Sequence, residues 1–187
     1  MVSFCTKNGG IDMQKWSFRR PNAGDIAQIA DYRQAFLDAG DSMDGTGPLR
    51  RMADPTEWVT FALDGEDPAR VPPGLVQATQ FLCVRGDGRV LGMLQVRHRF
   101  NDVLEKYGGH IGYSVHPAFR RQGVAKWMLA QALPYCREIG LTRVLVTCKA
   151  GNEGSRRTIQ SNGGVYESTV HEPQADVDLE RWWIALG

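Results

Sequence analysis

Nowhere in the chain of 187 residues is there an apolar run near the roughly 20 residues that a membrane-spanning helix needs. The segment from Met1 to Gly10 has polar and Gly residues where a secretory leader would place its apolar stretch, so a cytoplasmic location is expected. An excess of one charge is missing too. With 22 Lys and Arg against 21 Asp and Glu, the net charge of +1 leaves no broad field for nucleic acid or anionic lipid, and neither is an expected partner. The four cysteines (Cys5, Cys83, Cys136, Cys148) lack C-x-x-C spacing, and three lie in apolar stretches as small buried hydrophobes do, so no metal site is expected. Repeats, low-complexity tracts and linkers are also missing. What is present, 42% apolar and 23% charged residues, suits one globular domain: residues 15–187, after a lead-in of residues 1–14 without periodic pattern.

Residues 15–20 alternate weakly and end at the turn signal Arg20-Pro21-Asn22, after which Asp25 can cap a helix carrying Ile26, Ile29, Phe36 and Leu37 at helical spacing. Asp54-Pro55 opens a second helix with Trp58, Phe61 and Ala62. Residues 78–85 and 89–99 are β-rich runs about Gly86-Asp87-Gly88, the composition of a hairpin. Residues 110–115 form a strand stopped by Pro117, and residues 144–148 a short buried one. Between them, residues 123–139 carry Val124, Met128, Leu129, Ala132, Leu133 and Cys136 as a double apolar ridge closed by Gly140. Pro134 conflicts with that helix, at a cost of about 3 kcal/mol unless the helix kinks. Strand, long helix and strand make a crossover with parallel strands. A short helix from Asn152 to Gln160, a Gly163-Gly164 break and strands at 165–171 and 179–185 complete an α/β chain with a mixed sheet.

The chemistry concentrates in residues 112–125, where a strand passes through a basic turn into the strongest helix. A helix N-terminus offers unpaired N–H groups and a positive dipole end, and Gly123 leaves the backbone uncovered, so the loop can hold a pyrophosphate. Helix packing accounts for Gly123 and Ala125 equally well, and Arg120 and Arg121 are equally at home as solvated turn residues. The nucleotide-binding patterns G-x-x-x-x-G-K-[ST] and G-x-G-x-x-G do not fit, since Arg120 to Ala125 holds one Gly and no Lys-Ser/Thr pair.

The run does fit [Q/R]-x-x-G-x-[G/A]. Together with Tyr113-Ser114-Val115-His116-Pro117 before it, Asn152 after the later strand and Arg181-Trp182-Trp183-Ile184 near the end, it resembles the GNAT superfamily of acyl-CoA N-acyltransferases. The resemblance runs from Lys15 to Leu186. It implies the family fold: strand, two helices, three strands, helix, strand, helix and two strands. It implies that Tyr113, Ser114 and Val115 pair their backbone with the pantetheine arm of acetyl-CoA. The N–H groups of Arg121, Gln122, Gly123, Val124 and Ala125, with Arg120 beside them, would hold the pyrophosphate. Asn152 and Ser155 would lie next to the thioester, although Asn152 also suits a helix cap.

The sequence departs from that pattern at two catalytic positions. Many relatives carry a general-acid Tyr seven residues after the Asn and a general-base Glu five residues before it; this chain has Ile159 and Thr147. Direct attack of an amine in a ternary complex needs a held donor, a neutral amine and a stabilised oxyanion, the last within reach of the strand N–H at Val115 or Ser114. Among candidates to receive the amine proton His110 is the first choice, ahead of His116, Glu105 or water, although a surface or structural histidine is the more usual reading of such a residue. Ser155 is the nearest donor for the leaving thiolate. Arg97-His98-Arg99 either borders the acceptor pocket or is the exposed face of a hairpin. The expected activity is therefore acetyl transfer from acetyl-CoA to a small-molecule or peptide amine, with at most a second copy of the chain as macromolecular partner. The alternative is a non-catalytic acyl-CoA sensor.

Overall fold

Alternating apolar positions in the first half of the chain build antiparallel hairpins, and the long amphipathic helix then carries the chain across to a parallel neighbour. The computed structural model describes residues 16–187; the expected lead-in, Lys15 and Cys5 lie outside the described residues. The elements are β1 (Trp16–Arg19), α1 (Ile26–Ala39), α2 (Pro55–Asp64), β2 (Ala78–Arg85), β3 (Val90–Arg97), β4 (Ile111–Val115), α3 (Val124–Glu138), β5 (Arg143–Lys149), α4 (Glu153–Gln160), β6 (Val165–Glu172) and β7 (Val177–Ala185). They form one mixed α/β sheet in the order β1-β2-β3-β4-β5-β7-β6, parallel at β4–β5 and antiparallel elsewhere. No helix among the described residues is long and apolar enough to cross a membrane.

Both faces of the sheet are covered, and the period-2 alternation of the central strands sorts their side chains between two cores. Phe81, Cys83, Leu94 and Val96 meet Met128, Leu129, Ala132 and Cys136 of α3 on one side. Leu82, Val84 and Met93 meet Ile29, Tyr32 and Phe36 of α1 and Trp58 of α2 on the other. Cys83, Cys136 and Cys148 are buried free thiols within these layers. Pro134 does stand inside α3, but both it and Ala130, whose carbonyl loses its helical donor, are exposed to water.

Two local features differ from the sequence pattern. The Asp25 side chain makes no cap bond to α1, because it closes a capping box on the 3-10 turn Ala23–Asp25 just before: Asn22 accepts from the Gly24 N–H at 2.8 Å, the Asp25 carboxylate accepts from the Asn22 N–H at 2.9 Å, and Arg19 grips that carboxylate at 2.7 Å. The third strand also stops at Arg97 rather than Arg99, because the chain turns into a π-helical turn, Leu104–Gly108, before β4.

The α1–α2 connection is pinned onto the sheet. The Gln80 amide donates to the Gly45 carbonyl at 2.8 Å and the Trp58 indole to the Thr46 carbonyl at 2.7 Å. Gly45 has φ +73, and a Cβ there would come within 2.1 Å of the Gly112 carbonyl oxygen of β4. Gly45→Ala is therefore expected to destabilise the fold by more than about 1 kcal/mol, since it adds both a left-handed penalty and a backbone clash. A thermal melt of the variant that superimposes on wild type would refute this close approach.

Candidate functional site

The parallel strands β4 and β5 share a single register pair, Ile111↔Val146. On its N-terminal side the Leu145 carbonyl accepts from the His110 N–H at 2.8 Å. Past Val146 the strands part: β4 stays with β3 as far as Val115↔Gly92, while β5 stays with β7 as far as Lys149↔Leu179. The His110 carbonyl accepts from Arg97 at 2.8 Å and the His116 N–H donates to Leu91 at 2.9 Å, so even-numbered residues of β4 face β3. Strand alternation then turns the backbone groups of Tyr113 and Val115 into the cleft, where β5 no longer meets them. Ser114 is a correction to the expected trio. Its backbone pairs with Met93 of β3, and its hydroxyl, on the opposite face, lies 3.0 Å from the Tyr32 hydroxyl that donates to it.

At the open end of the cleft the chain makes a short 3-10 turn, Pro117–Phe119, fastened by the His116 ring, whose Nδ1 accepts from the Ala118 N–H at 3.2 Å. Arg121 (φ 62) and Gly123 (φ 83) are both left-handed, a conformation that makes successive N–H groups converge. Gly123 caps α3 without any side-chain bond, and the first turn holds no acidic residue. The N–H groups of Gly123, Val124 and Ala125 therefore form an uncompensated positive end, and a Cβ on Gly123 would meet nothing within 4 Å. Gln122 reaches only back to the Ala118 carbonyl at 3.5 Å. Arg120 turns across the cleft mouth: its guanidinium donates to the Val115 carbonyl at 3.3 Å and pairs with Asp41, beyond α1, at 2.6 Å.

At the inner end of the cleft, the hydroxyl of Tyr113 and that of Ser155 on α4 stand 2.7 Å apart and bridge the diverging strands. Burial drives the Tyr113 pKa above the ordinary phenol value, an effect its bond to Ser155 only partly offsets, so the phenol keeps its proton. Asn152 caps α4, its side-chain oxygen accepting from the Ser155 N–H at 3.1 Å, and so fixes where that serine starts. Ile159 is fully buried, and Thr147 donates to the Tyr107 carbonyl at 2.8 Å. The cleft thus gathers Tyr113, Val115, Asn152, Ser155 and the loop from Arg120 to Ala125.

His110 is placed otherwise. Its ring is buried, lies 3.9 Å from the Phe100 ring between centroids, and accepts at Nδ1 from the Leu145 N–H at 2.9 Å. That bond occupies the one lone pair of the neutral ring, so the imidazole joins β4 to β5 and has no free site for a proton. Burial first, then the charges of Arg97 and Arg143, depress its pKa to about 4. One contributor escaped the sequence, the Tyr113 side chain, whose partner is 42 residues away; Arg97, of the run read either as a pocket border or as an exposed hairpin face, lines a cavity on the α1–α2 side of the sheet.

A family model described as the acetyltransferase (GNAT) family matches residues 51–163. No curated protein matches the chain by sequence. Among solved structures, the fold resembles the ribosomal-protein-S5-alanine acetyltransferase of Vibrio fischeri (TM-score 0.70, 16% identity, covering 95% of this chain and 97% of that one). It also resembles RimJ of Mycobacterium smegmatis in complex with CoA-disulfide (TM-score 0.68, 21% identity, 91% and 81%). A third is the spermidine N-acetyltransferase of Vibrio cholerae in complex with CoA and spermine (TM-score 0.64, 14% identity, 92% and 96%).

The His110 geometry has a pH signature. Its folded pKa lies below the unfolded value of about 6.5, so the unfolded chain takes up the proton first, and stability present above pH 6.5 is lost as pH falls toward 4. In urea denaturation, His110→Asn is expected to lower the midpoint at neutral pH but to flatten its decline across that interval. Parallel declines for variant and wild type would refute the assignment.

Proposed function

Because the chain belongs to the GNAT acetyltransferase family, we propose that it transfers an acetyl group from acetyl-CoA to an amine by direct attack in a ternary complex, in the cytoplasm. The observation that carries this reading is the divergence of β4 from β5, which leaves the backbone of Tyr113 and Val115 without a strand partner on the β5 side, beside a helix N-terminus that no side chain caps. Those groups suit an extended amide-bearing arm and, beside it, a pyrophosphate. Val115 and Tyr113 would pair with the arm as a strand edge does, and the N–H groups from Arg121 to Ala125 would take the pyrophosphate. Arg120 must then release the Val115 carbonyl.

Amine attack forms the C–N bond and moves charge onto the carbonyl oxygen, which an N–H of the open β4 edge can stabilise. The C–S bond then breaks. Ser155 stands at the end of the cleft to protonate the thiolate, and the Tyr113 hydroxyl donates to Ser155 in turn, so the pair supplies the proton that the family position held by Ile159 does not. Solvent takes the proton from the amine, since the His110 lone pair is held by Leu145. A second reading, acyl-CoA binding without turnover, draws support from the same buried Ile159 and tied Thr147.

Acetyl-CoA is expected to raise the melting temperature, and Gly123→Asp, which sets a carboxylate against the pyrophosphate in open space, to remove that rise without unfolding the chain. A full rise in the folded variant would sink the loop assignment. With an accepted amine, release of CoA thiol separates enzyme from sensor. Ser155→Ala is expected to cut kcat by about 10²-fold to 10⁴-fold and Tyr113→Phe by less, with the KM for acetyl-CoA little changed in both. Unaltered kcat in both variants would remove the hydroxyl pair from the mechanism.

A further inference from the structure

On the face of the sheet opposite α3, α2 and the segment after it enclose a cavity of about 460 Å³, within the size range of small-molecule sites. Phe61, Pro72, Leu75, Val76 and Leu104 make its walls largely apolar, and Gln95 and Arg97 of β3 lie along one side. Its charged lining residues are Arg51 and Arg97; no Asp or Glu lines it.

Arg97 is one of two half-buried guanidinium groups without a carboxylate partner among the described residues; the other, Arg33, donates to the Leu49 and Arg50 carbonyls and does not line the cavity. Arg19, Arg156 and Arg181 each pair with a carboxylate: Asp25 at 2.7 Å, Glu180, and Glu167 at 2.6 Å. Arg97 instead spends Nη1 on the carbonyls of Gly108 (2.8 Å) and Gly109 (3.1 Å). Among the described residues no carboxylate reaches it within salt-bridge distance, and Asp44, exposed on the α1–α2 connection, acts on it only through space. Burial lowers its pKa, yet a guanidinium stays charged at any physiological pH. A half-buried cation without a carboxylate beside it offers a ligand anion in the cavity an unneutralised partner. Its free Nη2 lies 3.4 Å from where a Cβ of Gly112 would stand. Gly112 precedes Tyr113, and the two point to opposite faces of β4, so the cavity and the cleft back onto the same strand.

We propose that this cavity holds the acceptor of the transfer proposed above, and that the acceptor is an apolar amine bearing a carboxylate, paired with Arg97. The amine end lies toward β4, and the carbon skeleton lies along Phe61 and Leu104. A polycation of the kind held by the Vibrio cholerae enzyme meets two arginines and no acid here, and like charges in a low-dielectric pocket repel strongly.

The test first uses probes without an amine, so that binding is read apart from turnover. By titration calorimetry, 4-phenylbutyrate is expected to bind at least 10-fold more tightly than 4-phenylbutyramide, and Arg97→Gln to erase that ratio. Since Arg97→Gln also loses two carbonyl contacts and can fail to fold, a second variant is Leu75→Glu. Leu75 is 52% exposed at the rim, so the change leaves the core intact and should weaken the carboxylate but not the amide. Equal affinities of the two probes for wild type, or a ratio that survives in both variants, would overturn the proposal. With acetyl-CoA present, leucine and phenylalanine should release more thiol than their amides, and spermine none; preferential acetylation of spermine would also overturn it. If acetyl-CoA raises the melting temperature but the carboxylate probe does not bind, the pocket assignment alone fails. If the probe binds and acetyl-CoA does not, the acetyl-transfer reading fails and the anion site stands.

Discussion

The rest of the molecule depends on one departure from regular pairing: two parallel strands that share a single register pair and then separate. A backbone edge inside a protein must find hydrogen-bond partners, because an unpaired buried N–H or C=O costs as much as a lost hydrogen bond. Here β3 holds one side of β4 and β7 holds one side of β5, so neither strand can drift after the other, and their facing edges stay open past Val146. Hydrogen bonds between His110 and Leu145 lock the hinge of this wedge. A structural imidazole at the vertex fits that role better than a titrating one would, since protonation would break the bond that sets the opening.

The cleft and the cavity divide the chemistry between the two faces of β4. On one face hydroxyl groups bridge the strands, on the other a guanidinium borders an apolar chamber, and past Val146 no β4–β5 pairing closes the sheet between them. Period-2 alternation makes this possible, because Gly112 and Tyr113 are neighbours in the chain yet serve opposite compartments. Gly112 has a further reason to lack a side chain, since the α1–α2 connection packs its Gly45 backbone against it.

Much of the architecture was legible in the sequence because it rests on local periodicity. The double ridge of α3, the hairpin about Gly86-Asp87-Gly88 and the crossover all follow from spacing, and the basic turn before α3 stands out by its Gly and Arg pattern. The Asn152 cap was legible for the same reason, since the N–H that donates to it is three residues away. The parts that escaped depend on pairing between distant segments. Whether the Ser114 backbone faces β3 or the cleft is a matter of register parity, which one residue of slip would reverse. The His110 lone pair is filled by a strand 35 residues on, and the Tyr113 hydroxyl meets α4 only because the strands splay. The turn at Leu104–Gly108 left no periodic trace, and without it the two readings of Arg97, pocket border or exposed hairpin face, could not be separated.

The Arg120 contact with the Val115 carbonyl bears on how the protein survives while empty. An open strand edge is a template onto which any extended peptide can add, and proteins usually shield such edges with charge or cover. This edge lies in the middle of a sheet, where it cannot be shortened or twisted away without losing the cleft. A guanidinium tethered to Asp41 and laid on the last carbonyl of β4 is a removable shield: it disfavours strand addition, yet as a solvent-exposed ion pair it is worth at most about 1 kcal/mol and yields readily to a tighter occupant. Strand addition is thereby disfavoured at the same edge that the proposed pantetheine arm would use.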